Sequence, residues 1–240
     1  AASDVYKRQI LNERKSKARL DSGKKQNIMC AMNRENFFRK FDKIVGQFGD
    51  TKPGILLHSC CGPCSSSVLE LLSKYFDVTV LWYNPNLYPE SEYDKRLETQ
   101  KQLIDAIAED GVQAKLLVEP WRSEDYFSRI KGLENEPEEG KRCLECFRIR
   151  LEETARIASE RGFEWFCTTL TVSSRKDAVA INAIGREAEA KYGVKWLPSE
   201  FKKREGNHRS IILSEKYGLY RQEYCGCVFS LANREKHDEN

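Results

Sequence analysis

From residue 54 onward, short apolar runs alternate with stretches whose apolar positions recur every three or four residues. The first pattern predicts buried strands and the second predicts amphipathic helices. Strands are expected at 55–59, 77–83, 113–118, 164–170 and 195–198. The intervening helices carry Val68, Leu71, Leu72 and Tyr75 in the first, and Tyr93, Leu97, Ile104 and Ile107 in the second, over 92–109. A third, over 142–161, presents Leu144, Phe147, Leu151, Ala155 and Ala158, and a fourth spans 176–192. Such alternation predicts a parallel sheet covered by helices. Upstream, 33–48 reads as one helix with Phe37, Phe41, Ile44 and Phe48 on a common side, and downstream a helix is expected near 208–217. The acidic stretch 134–140 is rich in breakers and reads as a solvated loop.

The chain has 240 residues, 40% hydrophobic and 32% charged, which suits one α/β domain, placed at 33–232, and excludes a disordered or fibrous chain. Residues 1–32 form an N-terminal extension and 233–240 a polar tail. Within the extension, Asp4 to Gln9 matches the translation of a transposon end used in preparing sequencing libraries, so residues 1–9 read as an assembly scar. No run approaches the roughly 20 apolar residues of a membrane span, and no secretory leader is visible, so a cytoplasmic protein without membrane association is expected. Lys and Arg number 40 against 37 Asp and Glu, so a nucleic-acid partner would need a local basic patch. Lys202, Lys203, Arg204, His208 and Arg209 form the densest one, with Arg175 and Lys176 before it. A solvated basic face is the competing reading.

Nine cysteines are the unusual feature. In a reducing compartment, clustered cysteines more often bind metal or do redox chemistry than staple a fold. Cys60-Cys61-Gly62-Pro63-Cys64 leaves the first strand and enters a helix, where the positive dipole end favours thiolates. Cys61 and Cys64 alone would also suit a thioredoxin-like pair. Cys143 and Cys146 stand three apart on the first turn of a helix, so both sulfurs point the same way. Structural zinc and iron–sulfur sites both use such pairs. Cys225-Gly226-Cys227 could close only a small strained ring, which favours a cycling redox pair; terminal metal ligands are the other reading. Cys30 and Cys167 read as plain small residues. The first two clusters suffice for a four-thiolate site and leave the third pair for electron transfer.

Several longer strings carry a resemblance. LLHSCCGPCSS (56–66), YNPN with PESEYDKR (83–96), RCLECFRIRLEETA (142–155), TTL (168–170) and GNHRSIILSEKYGLYRQEYCGCVFS (206–230) resemble the QueH family of epoxyqueuosine reductases. The resemblance covers roughly 33–230. It implies a doubly wound α/β sheet similar to the adenine nucleotide alpha hydrolases (HUP-like), with a helical C-terminal segment. It also implies reduction of the epoxide of epoxyqueuosine in a tRNA anticodon loop to queuosine, without cobalamin. By the same resemblance Cys60, Cys61, Cys143 and Cys146 would hold a 4Fe-4S cluster, and Cys225 with Cys227 would form the redox-active disulfide. Cys64 would be an alternative ligand or part of an additional iron site. Where the family pattern has Ser-Pro-Tyr after the threonines, this chain has Ser173-Ser174-Arg175.

The reaction needs two electrons from a donor the sequence does not identify, and an acid for the departing oxygen. Tyr83, Tyr220, Tyr224 and His208 are candidates for the acid by position, and Trp82 or Tyr83 for stacking the modified base. Two other classes compete. An ATP-dependent tRNA-modifying enzyme would need a phosphate loop after the first strand, where Ser59 to Cys64 stands instead and Pro63 removes an amide donor. A non-catalytic zinc-binding RNA module would suit the first two clusters but has no use for the third.

Overall fold

The structure is a computed structural model that describes residues 36–203 and 205–238. The expected N-terminal extension with its scar, Cys30, and Arg204 lie outside the described residues. Of the two units into which the chain divides, residues 37–240 hold every element below.

In chain order these are α1 (Phe37–Val45), β1 (Gly54–His58), α2 (Gly62–Leu72), β2 (Asp77–Trp82), α3 (Glu90–Glu109), β3 (Ala114–Val118) and α4 (Ser123–Arg129). There follow α5 (Lys141–Glu160), β4 (Trp165–Thr168), a 3-10 turn (Thr169–Val172), α6 (Ala178–Tyr192), β5 (Lys195–Trp196), α7 (Gly206–Lys216) and α8 (Val228–Asp238). The five strands form one sheet in the order β3-β2-β1-β4-β5, every pairing parallel. This is the α/β architecture expected from the alternation. Right-handed crossovers place α2 and α3 on one face of such an order and α5 and α6 on the other. The packing agrees, since α2 lies against α3 and α7 while α5 lies against α6, β1 and β4.

Central strand β1 is buried on both faces, with Ile55, Leu56 and Leu57 fully enclosed, which is why it reads as an uninterrupted apolar run. Phe48, Phe76 and Trp165 meet edge to face at its N-terminal end. At the far edge, α6 starts at Asp177, whose Oδ1 accepts from the amides of Val179 and Ala180, and stops at Gly193 with φ +73°. Gly185 lets the Trp196 ring lie on that helix, because a Cβ there would sit 2.3 Å from the indole.

Some expected boundaries shift. The fourth strand ends at Thr168, where that residue's hydroxyl accepts from the Leu170 amide and turns the chain into the 3-10 segment. The last strand shortens to two residues, and α1 ends at Val45 rather than at 48, its expected start at 33 lying outside the described residues. Helix α4 falls in a stretch too short to show periodicity, and α8 continues across the expected tail boundary to Asp238.

Candidate active site

The strand order reverses between β1 and β4, and in open α/β sheets ligands gather outside the strand ends at such a point. The first cysteine cluster stands there. Ser59 still pairs with β2, its amide donating to Leu81 O. The chain then turns through Cys60 and an extended Cys61 into α2, with Pro63 in the first turn, where no amide is needed. Gly62 is required for the close approach of α3, since a Cβ there would stand 2.9 Å from Thr99 O.

The turn brings the Cys60, Cys61 and Cys64 sulfurs within 4.8 Å of one another. Thiol donors from Cys61 and Cys64 hold the Cys60 thiol well below its ordinary pKa, helped by Lys176 and by the Thr169 hydroxyl 3.4 Å away. Correspondingly, Cys61 is pushed up to about 12 and Cys64 is raised, so the trio carries its first negative charge on Cys60. Gln222 Nε2 donates to Cys61 Sγ at 3.0 Å. Below the cluster, His58 is fully buried, and burial with the nearby Arg150 charge lowers its pKa to about 3. The neutral ring therefore donates from Nε2 to Tyr83 O (3.3 Å) and accepts at Nδ1 from the Thr168 hydroxyl (2.8 Å), which fixes its tautomer.

The second pair lies at the start of α5. Cys143 Sγ accepts from the Glu139 amide at 3.3 Å, and burial raises both its pKa and that of Cys146, the latter to about 12. The acidic loop before it is more than a solvated charge run. Arg142 Nη1 donates to the carbonyls of Glu134 (2.8 Å) and Glu136 (2.5 Å), and Glu138 and Glu139 turn towards the cysteines.

The third pair arrives from the C-terminal segment. Arg96, itself buried and paired to Glu92 at 2.7 Å, donates to the carbonyls of Tyr224 and Cys225, both at 3.2 Å. Gly226 O accepts from the Tyr88 amide at 2.8 Å. Cys225 is exposed whereas Cys227 is buried beside Tyr126. All eight cysteines among the described residues are free thiols.

One cavity of about 530 Å³ joins the three groups, with Cys60, Cys64, Cys143, Cys146, Cys225 and Cys227 in its wall. Cys61 lies behind Cys60, their sulfurs 3.8 Å apart. Two cations face the same space. Arg150 is buried, donates to Cys146 O (3.0 Å) and Sγ (3.3 Å), and has no carboxylate at ion-pair distance among the described residues. Half-buried Lys176 also lines the cavity. Burial alone would favour their neutral forms, but the surrounding thiols outweigh it and hold both protonated. Soft sulfur donors with uncompensated positive charge fit an anionic metal–thiolate centre.

Arg150, Tyr126, Arg96 and Gln222 are site residues the sequence reading missed. One sign of Arg150 was available: it continues the stripe Cys143, Cys146, Phe147, Arg150, Leu151 of α5. Other expectations require correction. Trp82 and Tyr83 are buried and cannot stack a base. The Tyr83 hydroxyl donates to Asp125 at 2.9 Å, and that of Tyr220 to Glu92 at 3.2 Å. Tyr224 does line the cavity, but its hydroxyl donates to Tyr88 O at 2.6 Å; burial pushes its pKa up to about 12. His208 is exposed on α7. In the basic patch, Arg209 is paired with Glu70, Lys203 with Glu200, and Arg175 with Glu138 and Glu139. Lys202 Nζ donates to Lys176 O at 2.9 Å. No described helix is long and apolar enough to cross a membrane.

The family model described as "Epoxyqueuosine reductase QueH" matches residues 55–233, a span that contains the cavity and all three cysteine groups. The chain belongs to this family. Proteins named epoxyqueuosine reductase QueH from Staphylococcus epidermidis and Streptococcus pyogenes serotype M1 are 40% and 38% identical to it. The first alignment covers 81% of this chain and 84% of the relative, the second 85% and 83%. A Thermotoga maritima protein of the same name is 39% identical over 77% of this chain and 94% of its own. Among solved structures, the U34-tRNA thiolase NcsA from Methanococcus maripaludis with its 4Fe-4S cluster aligns over 85% of this chain and 70% of its own. The TM-score is 0.43 and the identity 18%. As a member of the epoxyqueuosine reductase family this chain is an oxidoreductase, and the zinc-module and ATP-dependent readings are not favoured.

Proposed function

We propose that the chain reduces the epoxide of epoxyqueuosine in a tRNA anticodon loop to the alkene of queuosine, in the cytoplasm, at the cavity where the three cysteine groups converge. That convergence carries the reading: groups far apart in sequence wall a single space beside the strand switch point. The proposed ligands of a 4Fe-4S cluster are Cys60, Cys61, Cys143 and Cys146, with Cys64 beside the first two for an additional iron. Such a centre would supply single electrons and an electrophilic metal.

The chain's own groups supply the rest. Reducing an epoxide to an alkene consumes two electrons and two protons and releases water. The Cys225 and Cys227 thiols together hold that amount and become a disulfide. Cys225, the exposed partner, is the sulfur an external reductant reaches to restore the dithiol. Buried Tyr126 lines the cavity beside Cys227 with its pKa strongly raised by burial, so it keeps a proton in place for the departing oxygen.

Protein purified without oxygen is expected to contain about four iron and four sulfide per chain and to convert epoxyqueuosine-containing tRNA. Stoichiometric zinc without sulfide would favour the zinc-binding module instead. Cys225→Ser is expected to abolish repeated turnover, and full multiple turnover in that variant would end the dithiol role.

A further inference from the structure

Beyond the cysteines, the cavity wall contains two buried asparagines, one of them with an oxygen that has no partner among the described residues. Asn84 and Asn86 follow β2 on either side of Pro85, both buried and both in the cavity wall. The Oδ1 atom of Asn86 has no hydrogen-bond partner among the described residues. Asn84 donates from Nδ2 to Ser59 O at 2.8 Å, which fixes its amide orientation and turns its own Oδ1 towards the His58 ring. Buried carbonyl oxygens are rarely left unsatisfied, so the Asn86 oxygen in the cavity wall marks a place where a ligand supplies a donor.

The cavity wall carries charge of both signs, Arg96, Arg150, Arg175 and Lys176 together with Glu138, Glu139, Asp177 and Glu223, so an ion of either sign meets like charge there, whereas a neutral hydroxyl needs only the free acceptor. Asn84 is also tied to the residue immediately before Cys60, so whatever these oxygens hold lies next to the reacting centre rather than at the cavity mouth.

We infer that Asn86, assisted by Asn84, is a specificity-determining subsite that accepts hydrogen bonds from the vicinal diol of the substrate's cyclopentane ring. The inference rests on the proposed function above. The subsite orients the ring by its diol while the epoxide faces the cysteines. It gives the enzyme a means of rejecting bases at the same tRNA position that lack the ring, because an unfilled pocket leaves the Asn86 oxygen buried without a donor.

The test is anaerobic binding to two tRNAs of identical sequence. One carries epoxyqueuosine and the other 7-aminomethyl-7-deazaguanosine, which keeps the base and the amine but has no cyclopentane diol. Wild-type protein is expected to prefer the first. Asn86→Ala should reduce that preference about 2- to 10-fold while leaving affinity for the aminomethyl tRNA unchanged. Asn86→Asp, which keeps an accepting oxygen, should retain most of the preference. An unchanged preference in Asn86→Ala, or an equal loss of affinity for both tRNAs, would overturn the subsite while wild-type turnover upheld the reductase reading. Failure of the wild type to convert epoxyqueuosine-containing tRNA is a separate result and would remove the reading on which the subsite depends.

Discussion

Replacing Gly226 by alanine is the sharpest test of how the proposed redox pair is held. Gly226 adopts φ +116°, a region that L-residues rarely enter, and an added Cβ would lie 2.4 Å from Leu87 Cδ2 and 2.7 Å from Arg96 Nη1. The backbone conformation costs an alanine about 1–3 kcal/mol, and overpacking against Leu87 and Arg96 adds about 1–3 kcal/mol. A combined loss of about 2–6 kcal/mol is therefore the upper scale of the effect. The loop can relieve part of it by moving. Movement would pull the Tyr224 and Cys225 carbonyls off Arg96, so function suffers where stability does not. Urea unfolding of the anaerobically purified protein reads the first component, and the midpoint potential of the Cys225/Cys227 couple reads the second. A variant with stability within about 0.5 kcal/mol of wild type and an unchanged potential would refute the clamp described here.

Arg150→Leu removes the buried cation that donates to Cys146 Sγ, and iron affinity in chelator competition should fall about 10- to 100-fold, as for other groups that support metal ligands. Asn182→Ala leaves the Trp196 Nε1 and Ser199 amide donors unpaired inside the protein, and thermal or urea unfolding should show a loss of about 2–4 kcal/mol. Cys167→Ala, in the middle of β4 and away from the cavity wall, should leave iron content and turnover unchanged, which a metal assay beside the turnover assay would show.

The sheet was legible because its inner strands β1, β2 and β4 are buried on both faces and its helices are amphipathic, so each of these elements advertises its type within its own residues. The cysteine groups were legible as candidates because thiols cluster at strand ends and helix starts. What the local pattern does not contain is the partner across the fold. Arg150 looks like one more charge on a charged helix until the far side of α5 is seen to face thiols. Tyr83 and Trp82 look available at a strand end, yet neighbouring α3 and the segment after β3 cover them: Trp82 packs on Tyr93, and Tyr83 bonds Asp125. Likewise, of the basic residues 202–209, Arg209 and Lys203 are answered in space by Glu70 and Glu200, which the string of letters does not show. The acidic loop 134–140 had the opposite fate, because Arg142 folds it back over the site.

The cavity wall is assembled from the first strand turn and from the last loop before α8, with most of the chain between them. During synthesis, at about 5–20 residues per second, the Cys60 turn is made on the order of ten seconds or more before Cys225. A nascent chain can thus display the thiols of the Cys60 turn long before the clamp on Arg96 has anything to hold. Completion of the reaction centre waits on the segment that carries Cys225 and Cys227, and a truncated product that retains the whole sheet would still lack the pair proposed to carry the electrons.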